Sequence, residues 1–267
     1  MSSRSPLTVC LLCFGDELVL ARRAGEHLLA LPPSDVVRDY RLLFNSPSPA
    51  LLAFSDELGK ALVLKHRGVV HRYVAPTNRY KYPLMRRALY DPVRPCAPQF
   101  FWCDDDTYLA PPWTWDFVVD RLRTYDFIGQ RWYRRLQDNQ WQWIMTQPWF
   151  RPQAGRPDRL QFFQGSCWGI RTELLYRWNW PDKALRHCGG DSLLGELARQ
   201  QAWTLSQLSH DYEHGAHINA DLAGRHSKSP RRGYRELEFA ADFIPGMYYS
   251  TLHQEFPVEI STYGSHV

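Results

Sequence analysis

Three consecutive carboxylates, Asp104, Asp105 and Asp106, follow the apolar run Phe100-Phe101-Trp102-Cys103. Burying adjacent carboxylates is costly without cations, so the triplet belongs where a strand ends and solvent or a metal begins. Side chains two apart on a strand share a face. Asp104 and Asp106 can therefore converge on one ion while Asp105 turns away. Hard divalent cations such as Mn2+ or Mg2+ prefer oxygen ligands, and reach substrate phosphates with only one or two carboxylates. A solvated turn whose aspartate caps the helix after Pro111 is the plainer alternative.

A second group, His187-Cys188-Gly189-Gly190-Asp191-Ser192-Leu193-Leu194-Gly195, lies about 85 residues further on. Paired glycines allow close backbone approach or unusual dihedrals just before a helix. Asp191 then stands at a helix N-terminus, where the dipole favours a carboxylate. An ordinary N-cap is the alternative reading. Further on, Arg225-His226-Ser227-Lys228-Ser229-Pro230-Arg231-Arg232-Gly233 reads as a basic loop. It suits diphosphate neutralisation, because guanidinium binds two oxygens at once, or it is simply solvated.

The run Phe101-Trp102-Cys103-Asp104-Asp105-Asp106-Thr107-Tyr108 resembles the Asp-x-Asp motif of GT-A glycosyltransferases, in the style of the fringe and β-1,3-galactosyltransferase enzymes. The resemblance implies a nucleotide diphosphate sugar donor, a UDP-sugar, held through Mn2+ or Mg2+. Asp106 would hold the metal, and Asp104 or Asp105 would face the ribose. In these families an acidic residue followed four residues later by glycine is the general base of inverting enzymes, and Asp191 with Gly195 matches. Leu160–Arg171 falls where the families place a strand lining the donor-sugar and acceptor pocket. Gly165 and Ser166 would admit a sugar there, and Trp168 would offer it a flat face. The families also imply a basic residue before the metal motif, here Arg79 or Lys81. A late histidine would close the metal shell, with His217 and His210 as candidates. His210, His214 and His217 could alternatively mark zinc, although no Cys or His-Glu-x-x-His pattern accompanies them.

Elements to position these groups can be read from hydrophobic spacing. Strands are expected over Leu7–Cys13, Val69–Val74, Gln99–Cys103, Phe127–Tyr133 and Leu160–Ile170. Helical spacing runs over Asp35–Phe44, over Ser55–Leu64 with Ser55 as N-cap, and over Tyr82–Tyr90. Further helices are expected from Pro111-Pro112 to about Tyr125 and over Asp191–Gln201. Strands alternating with helices predict a single α/β/α sandwich over 1–267 with a mainly parallel sheet. Residues 1–110 would form the donor half, and 111–267 the acceptor and catalytic half.

Composition narrows the partners. The chain has 267 residues, 44% hydrophobic and 22% charged, which excludes a disordered chain. No apolar run is long enough to span a membrane. Cys10 and Cys13, three apart on a strand, point to opposite faces and read as core thiols rather than a zinc pair. Six scattered cysteines suggest a reducing compartment, the cytoplasm of a cell or of an infected host. Lys60–Arg94 carries nine basic residues against Asp91 alone, more positive charge than one diphosphate requires. Arg121–Arg159 adds eight arginines against three acids, interleaved with Trp132, Trp141, Trp143 and Trp149. All eleven tryptophans lie between Trp102 and Trp203, bracketing both motifs, which favours an aromatic acceptor cleft over a purely structural core. Arginine among aromatics suits a polyanionic acceptor. In general character the chain is similar to phage DNA-modifying glycosyltransferases, which act on hydroxymethylated pyrimidines. A carbohydrate or small-molecule acceptor is the alternative. A metal-dependent phosphoesterase and a non-catalytic nucleic-acid-binding module are the other classes left open.

Overall fold

The structure is a computed structural model that describes residues 6–109, 113–187, 189–208 and 256–264, excepting the side chains of Tyr108 and His187, together with the backbone of 216–218, 243–244 and 247–249. The first strand, β1 (Leu7–Phe14), shows how the layers arise. Leu7, Val9, Leu11 and Cys13 enter one hydrophobic core, while Cys10 and Leu12 enter the other. A two-residue period thus feeds both faces of a central sheet. The CxxC cysteines are parted in the way that period requires.

Helix α1 (Leu18–Ala30) leads to β2 (Val37–Asn45), α2 (Pro49–His66), β3 (Val69–Ala75), α3 (Lys81–Leu89) and β4 (Gln99–Asp104). A short β5 (Thr107–Leu109) precedes α4 (Trp115–Thr124), β6 (Phe127–Arg134) and α5 (Asp138–Met145). Then follow β7 (Leu160–Arg171), α6 (Thr172–Arg177), β8 (Leu185–His187), α7 (Gly190–Gln200) and β9 (Leu205–Gln207). Four short strands complete the described chain: β10 (Ala216–Ile218), β11 (Phe243–Ile244), β12 (Met247–Tyr249) and β13 (Glu259–Tyr263).

The eight-stranded sheet runs β13-β3-β2-β1-β4-β7-β6-β9. Strands β3, β2, β1 and β4 are parallel neighbours, whereas β7 is antiparallel to both β4 and β6, and β13 to β3. This is the expected α/β sandwich. None of its described helices is long and apolar enough to cross a membrane.

Three local expectations are corrected. Asp35–Phe44 is not helical. Its chain is β2, between β1 and β3. Asp39 and Arg41, which imitate a helix's polar face, share one side of the strand in a buried ion pair of 2.7 Å. Thr8 donates to Asp39 at 2.7 Å, and Arg41 also donates to the carbonyls of Ala88 and Arg94, so each buried polar group is answered. Second, α2 starts at Pro49, with Ser48 accepting from the Leu51 amide, while Ser55 sits inside the helix and donates to the Leu52 carbonyl. Third, α4 starts at Trp115, capped by Thr114 through the Phe117 amide; Pro111 and Pro112 lie outside the described residues.

Candidate functional site

The parallel strands β1 and β4 end together, with Leu12 opposite Asp104 in the register. The Asp105 amide donates to the Leu12 carbonyl, and one Asp105 oxygen accepts from the Phe14 amide at 3.1 Å. Asp105 is fully buried and turned toward the end of β1, as the two-residue period expects. Asp106 is 4% exposed. The next residue, Thr107, donates its hydroxyl to the Ser166 carbonyl at 3.0 Å, which fastens the aspartate turn to β7.

Asp104 accepts on both oxygens. One oxygen accepts from Lys81 Nζ at 2.7 Å and the other from Trp102 Nε1 at 2.8 Å. Each carboxylate oxygen keeps a further lone pair, so a cation shared with Asp106 would have to approach beside the ammonium and the indole. The Trp102 contact was open to strand alternation, since residues 102 and 104 share a face. The Lys81 contact depends on where α3 docks, and no spacing reveals that.

Lys81 opens α3 and is itself buried, with Nζ 5.6 Å from the Trp102 ring centre. The same nitrogen donates to the Gly165 carbonyl at 2.5 Å. A Cβ on Gly165 would lie 3.4 Å from Lys81 Nζ and 3.5 Å from Asp191 Cβ. Gly165 thus marks where α3, β7 and α7 meet. Ser166, beside it, is buried.

Asp191 occupies the first turn of α7. The two glycines before it divide the work expected of them. Gly189 takes φ of +78°, and a Cβ on Gly190 would collide with the Tyr82 ring, so α7 packs directly on α3. Asp191 is half-buried, and burial raises its pKa above the ordinary carboxylate value. The Ser192 amide, donating at 2.8 Å, opposes that rise, as do the positive charges of Lys81 and Arg134. Arg134, on β6, donates to the Ser192 hydroxyl at 3.3 Å. No motif in the sequence singles Arg134 out.

Arg79 and Trp168 lie apart from this cluster. The Arg79 amide donates to Asn45 Oδ1 at the end of β2, and its guanidinium sits 5.3 Å over Phe256. Trp168 is 2% exposed and is walled by Phe100, Trp102, Phe127 and Trp180. It has no face for a sugar, and the expectation of a platform there is corrected. Trp102, Trp113, Trp115, Trp149 and Trp180 are buried as well, so most of the tryptophan block is core rather than cleft. Trp141, Trp143, Trp178 and Trp203 are partly buried, and Trp132 is 48% exposed.

Strand β10 pairs with β5 and sets the His217 backbone opposite Tyr108, two residues beyond Asp106. The His217 side chain lies outside the described residues, as do His210, Arg225 and Lys228. Among the described residues, no three His, Cys, Asp or Glu side chains form a ready metal shell. The oxygen donors at the end of β4 fit a hard divalent cation that takes part of its shell from substrate phosphates.

No family model matches the chain, and no characterised protein matches it in sequence. Solved structures match it in fold. A mannosyltransferase from Pyrobaculum calidifontis, in complex with GDP-mannose and Mn2+, is 12% identical over 77% of this chain and 55% of its own, with a TM-score of 0.51. GalNAc-T7 with UDP, GalNAc and Mn2+ is 11% identical over 76% of this chain and 41% of its own, with a TM-score of 0.54. Residues 1–349 of TarS from S. aureus are 12% identical over 77% of this chain and 58% of their own, with a TM-score of 0.52. The chain therefore matches about half the length of these structures. The shared architecture is the GT-A fold.

Proposed function

We propose that this chain is a metal-dependent glycosyltransferase that moves a sugar from a nucleotide diphosphate sugar to an acceptor hydroxyl. The observation that carries the reading is the junction at Gly165, where Lys81, bound to Asp104 of the aspartate turn, meets Asp191 of α7. It joins the end of β4, suited to phosphates and a cation, to a carboxylate suited to taking a proton. The GT-A fold supports the reading, as do the nucleotide sugars and Mn2+ held by structures of that fold.

Asp106 and Asp104 would hold the cation, with His217 as a further candidate ligand, and a divalent cation there would offset charge on a departing diphosphate. Asp105 would face the nucleotide, with Arg79, Arg225 and Lys228 as further donor contacts. Lys81, through Asp104 and the Gly165 carbonyl, holds the donor half (1–110) against the acceptor half (111–267). Asp191 takes the acceptor hydroxyl proton as that oxygen attacks the anomeric carbon opposite the leaving group, which inverts the configuration. We assign the donor as a UDP-sugar and the acceptor as a hydroxymethylated pyrimidine in DNA, in a cytoplasmic setting. Ser166 and Gly165 would border the acceptor.

The reading is tested by nucleoside diphosphate release from a panel of sugar nucleotides with Mn2+, with and without hydroxymethylated DNA. Metal-dependent release that rises with the modified DNA supports it in full. No release from any donor removes it. The anomeric configuration of the product, read by NMR, tests inversion.

A further inference from the structure

The outer half of β6 combines features that the fold does not require. Strand β9 pairs with β6 only over Phe127–Gly129, so from Arg131 onward β6 keeps β7 as its sheet neighbour among the described residues. On this projecting segment Trp132 and Tyr133 are 48% and 47% exposed, a large apolar surface to leave in water at adjacent positions. Four arginines surround them. Arg135 and Arg159 are exposed, and Arg131 and Arg134 are half-buried. The Arg159 guanidinium lies 5.4 Å over the Tyr133 ring. Among the described residues, none of the four has a carboxylate within salt-bridge distance. Nearby, Asp138 is held by Arg156 at 2.6 Å, which leaves exposed Asp158 as the local acid.

This surface reaches the proposed site. Arg134 donates to Ser192, the neighbour of Asp191, and on a strand Trp132 shares the face of Arg134. A ligand on Trp132 and Arg134 would therefore lead toward the Asp191 carboxylate.

We propose that the outer half of β6 binds a strand of nucleic acid that crosses its projecting edge, with phosphates on Arg131, Arg135 and Arg159 and a base on Tyr133 on one face, and a base on Trp132 on the other face, the one that leads to Asp191. Neutral sugars would stack on the rings without needing the charge, and an acidic peptide would use the charge without needing the rings. A nucleic-acid strand uses both. The proposal rests on the glycosyltransferase reading for its purpose, since it supplies the acceptor's route to Asp191, but binding can be measured without turnover.

The experiment titrates the full chain with a labelled single-stranded oligodeoxynucleotide, a fully abasic strand of equal length, and heparin, at two salt concentrations. The expected result is oligonucleotide binding that weakens with salt, and abasic binding weaker by about tenfold or more. Trp132→Ala should weaken oligonucleotide binding by a similar factor and leave abasic binding unchanged, while Trp132→Phe retains most of it. Arg135→Gln with Arg159→Gln should flatten the salt dependence. No binding at low salt overturns the proposal, as does equal affinity for oligonucleotide, abasic strand and heparin. Strand binding of the expected kind without release from any sugar nucleotide upholds this surface and removes the transferase reading. Turnover without strand binding does the reverse.

Discussion

Lys81 Nζ donates to Asp104 Oδ2 at 2.7 Å, with both side chains about nine-tenths buried. An ammonium from the start of α3 thus meets the carboxylate that ends β4, at the point where β7 and α7 also arrive. Removing one partner of a buried pair leaves the other charge uncompensated. Lys81→Met should cost about 3–5 kcal/mol of folding stability, measured by urea denaturation. A loss no larger than that of an exposed lysine would contradict the burial of this pair.

Asp191 titrates in two measurable ways. Burial holds its pKa above the ordinary carboxylate value, so its ionised form is disfavoured in the folded chain. As pH rises from the unfolded to the folded pKa, this group subtracts stability, and above that window the subtraction stays constant. Asp191→Asn should therefore be more stable than wild type at neutral pH and equal to it in acid, as followed by thermal melts. If Asp191 is the base, the acid limb of kcat/KM lies above the ordinary carboxylate pKa. Lys81→Met should move that limb higher, because Lys81 lowers the Asp191 pKa.

Gly190 lets Tyr82 pack against the start of α7. Gly190→Ala would overpack that contact, and a destabilisation of about 1–3 kcal/mol is expected from denaturant titration. Turnover should fall too, since the change displaces the turn that carries Asp191. Unaltered stability and rate would show that α3 and α7 are not coupled there.

Trp168 and Trp132 should separate cleanly. Trp168→Ala removes a side chain from the centre of an aromatic core and should cost about 3–5 kcal/mol. Trp132→Ala, at an exposed position, should change stability by less than about 0.5 kcal/mol. Equal effects in thermal or chemical denaturation would contradict this division of the tryptophan block.

The sheet was legible where alternation was plain. In β1, successive apolar residues serve two cores, and the apolar run before Asp104 could end only at a polar edge. Strand β2 was not legible, because Asp39 and Arg41 look solvated until each is seen to satisfy the other inside the sheet. The tryptophans misled for a related reason. Clustering along the chain carries no information about exposure, and Trp102, Trp168 and Trp180 cluster because they fill one core. The ends of the site, Asp106 and Asp191, were marked by residue type. The junction between them was not, since Lys81 and Gly165 are 84 residues apart and meet only when α3 docks.

The central claim is that Asp191 acts as base for sugar transfer from a nucleotide donor. Its most direct test compares initial rates of Mn2+-dependent nucleoside diphosphate release by wild type and Asp191→Asn, at neutral pH with saturating donor and acceptor. Wild-type turnover and a fall of about 10²–10⁴-fold in the variant are expected. Equal rates for the two proteins would contradict that role.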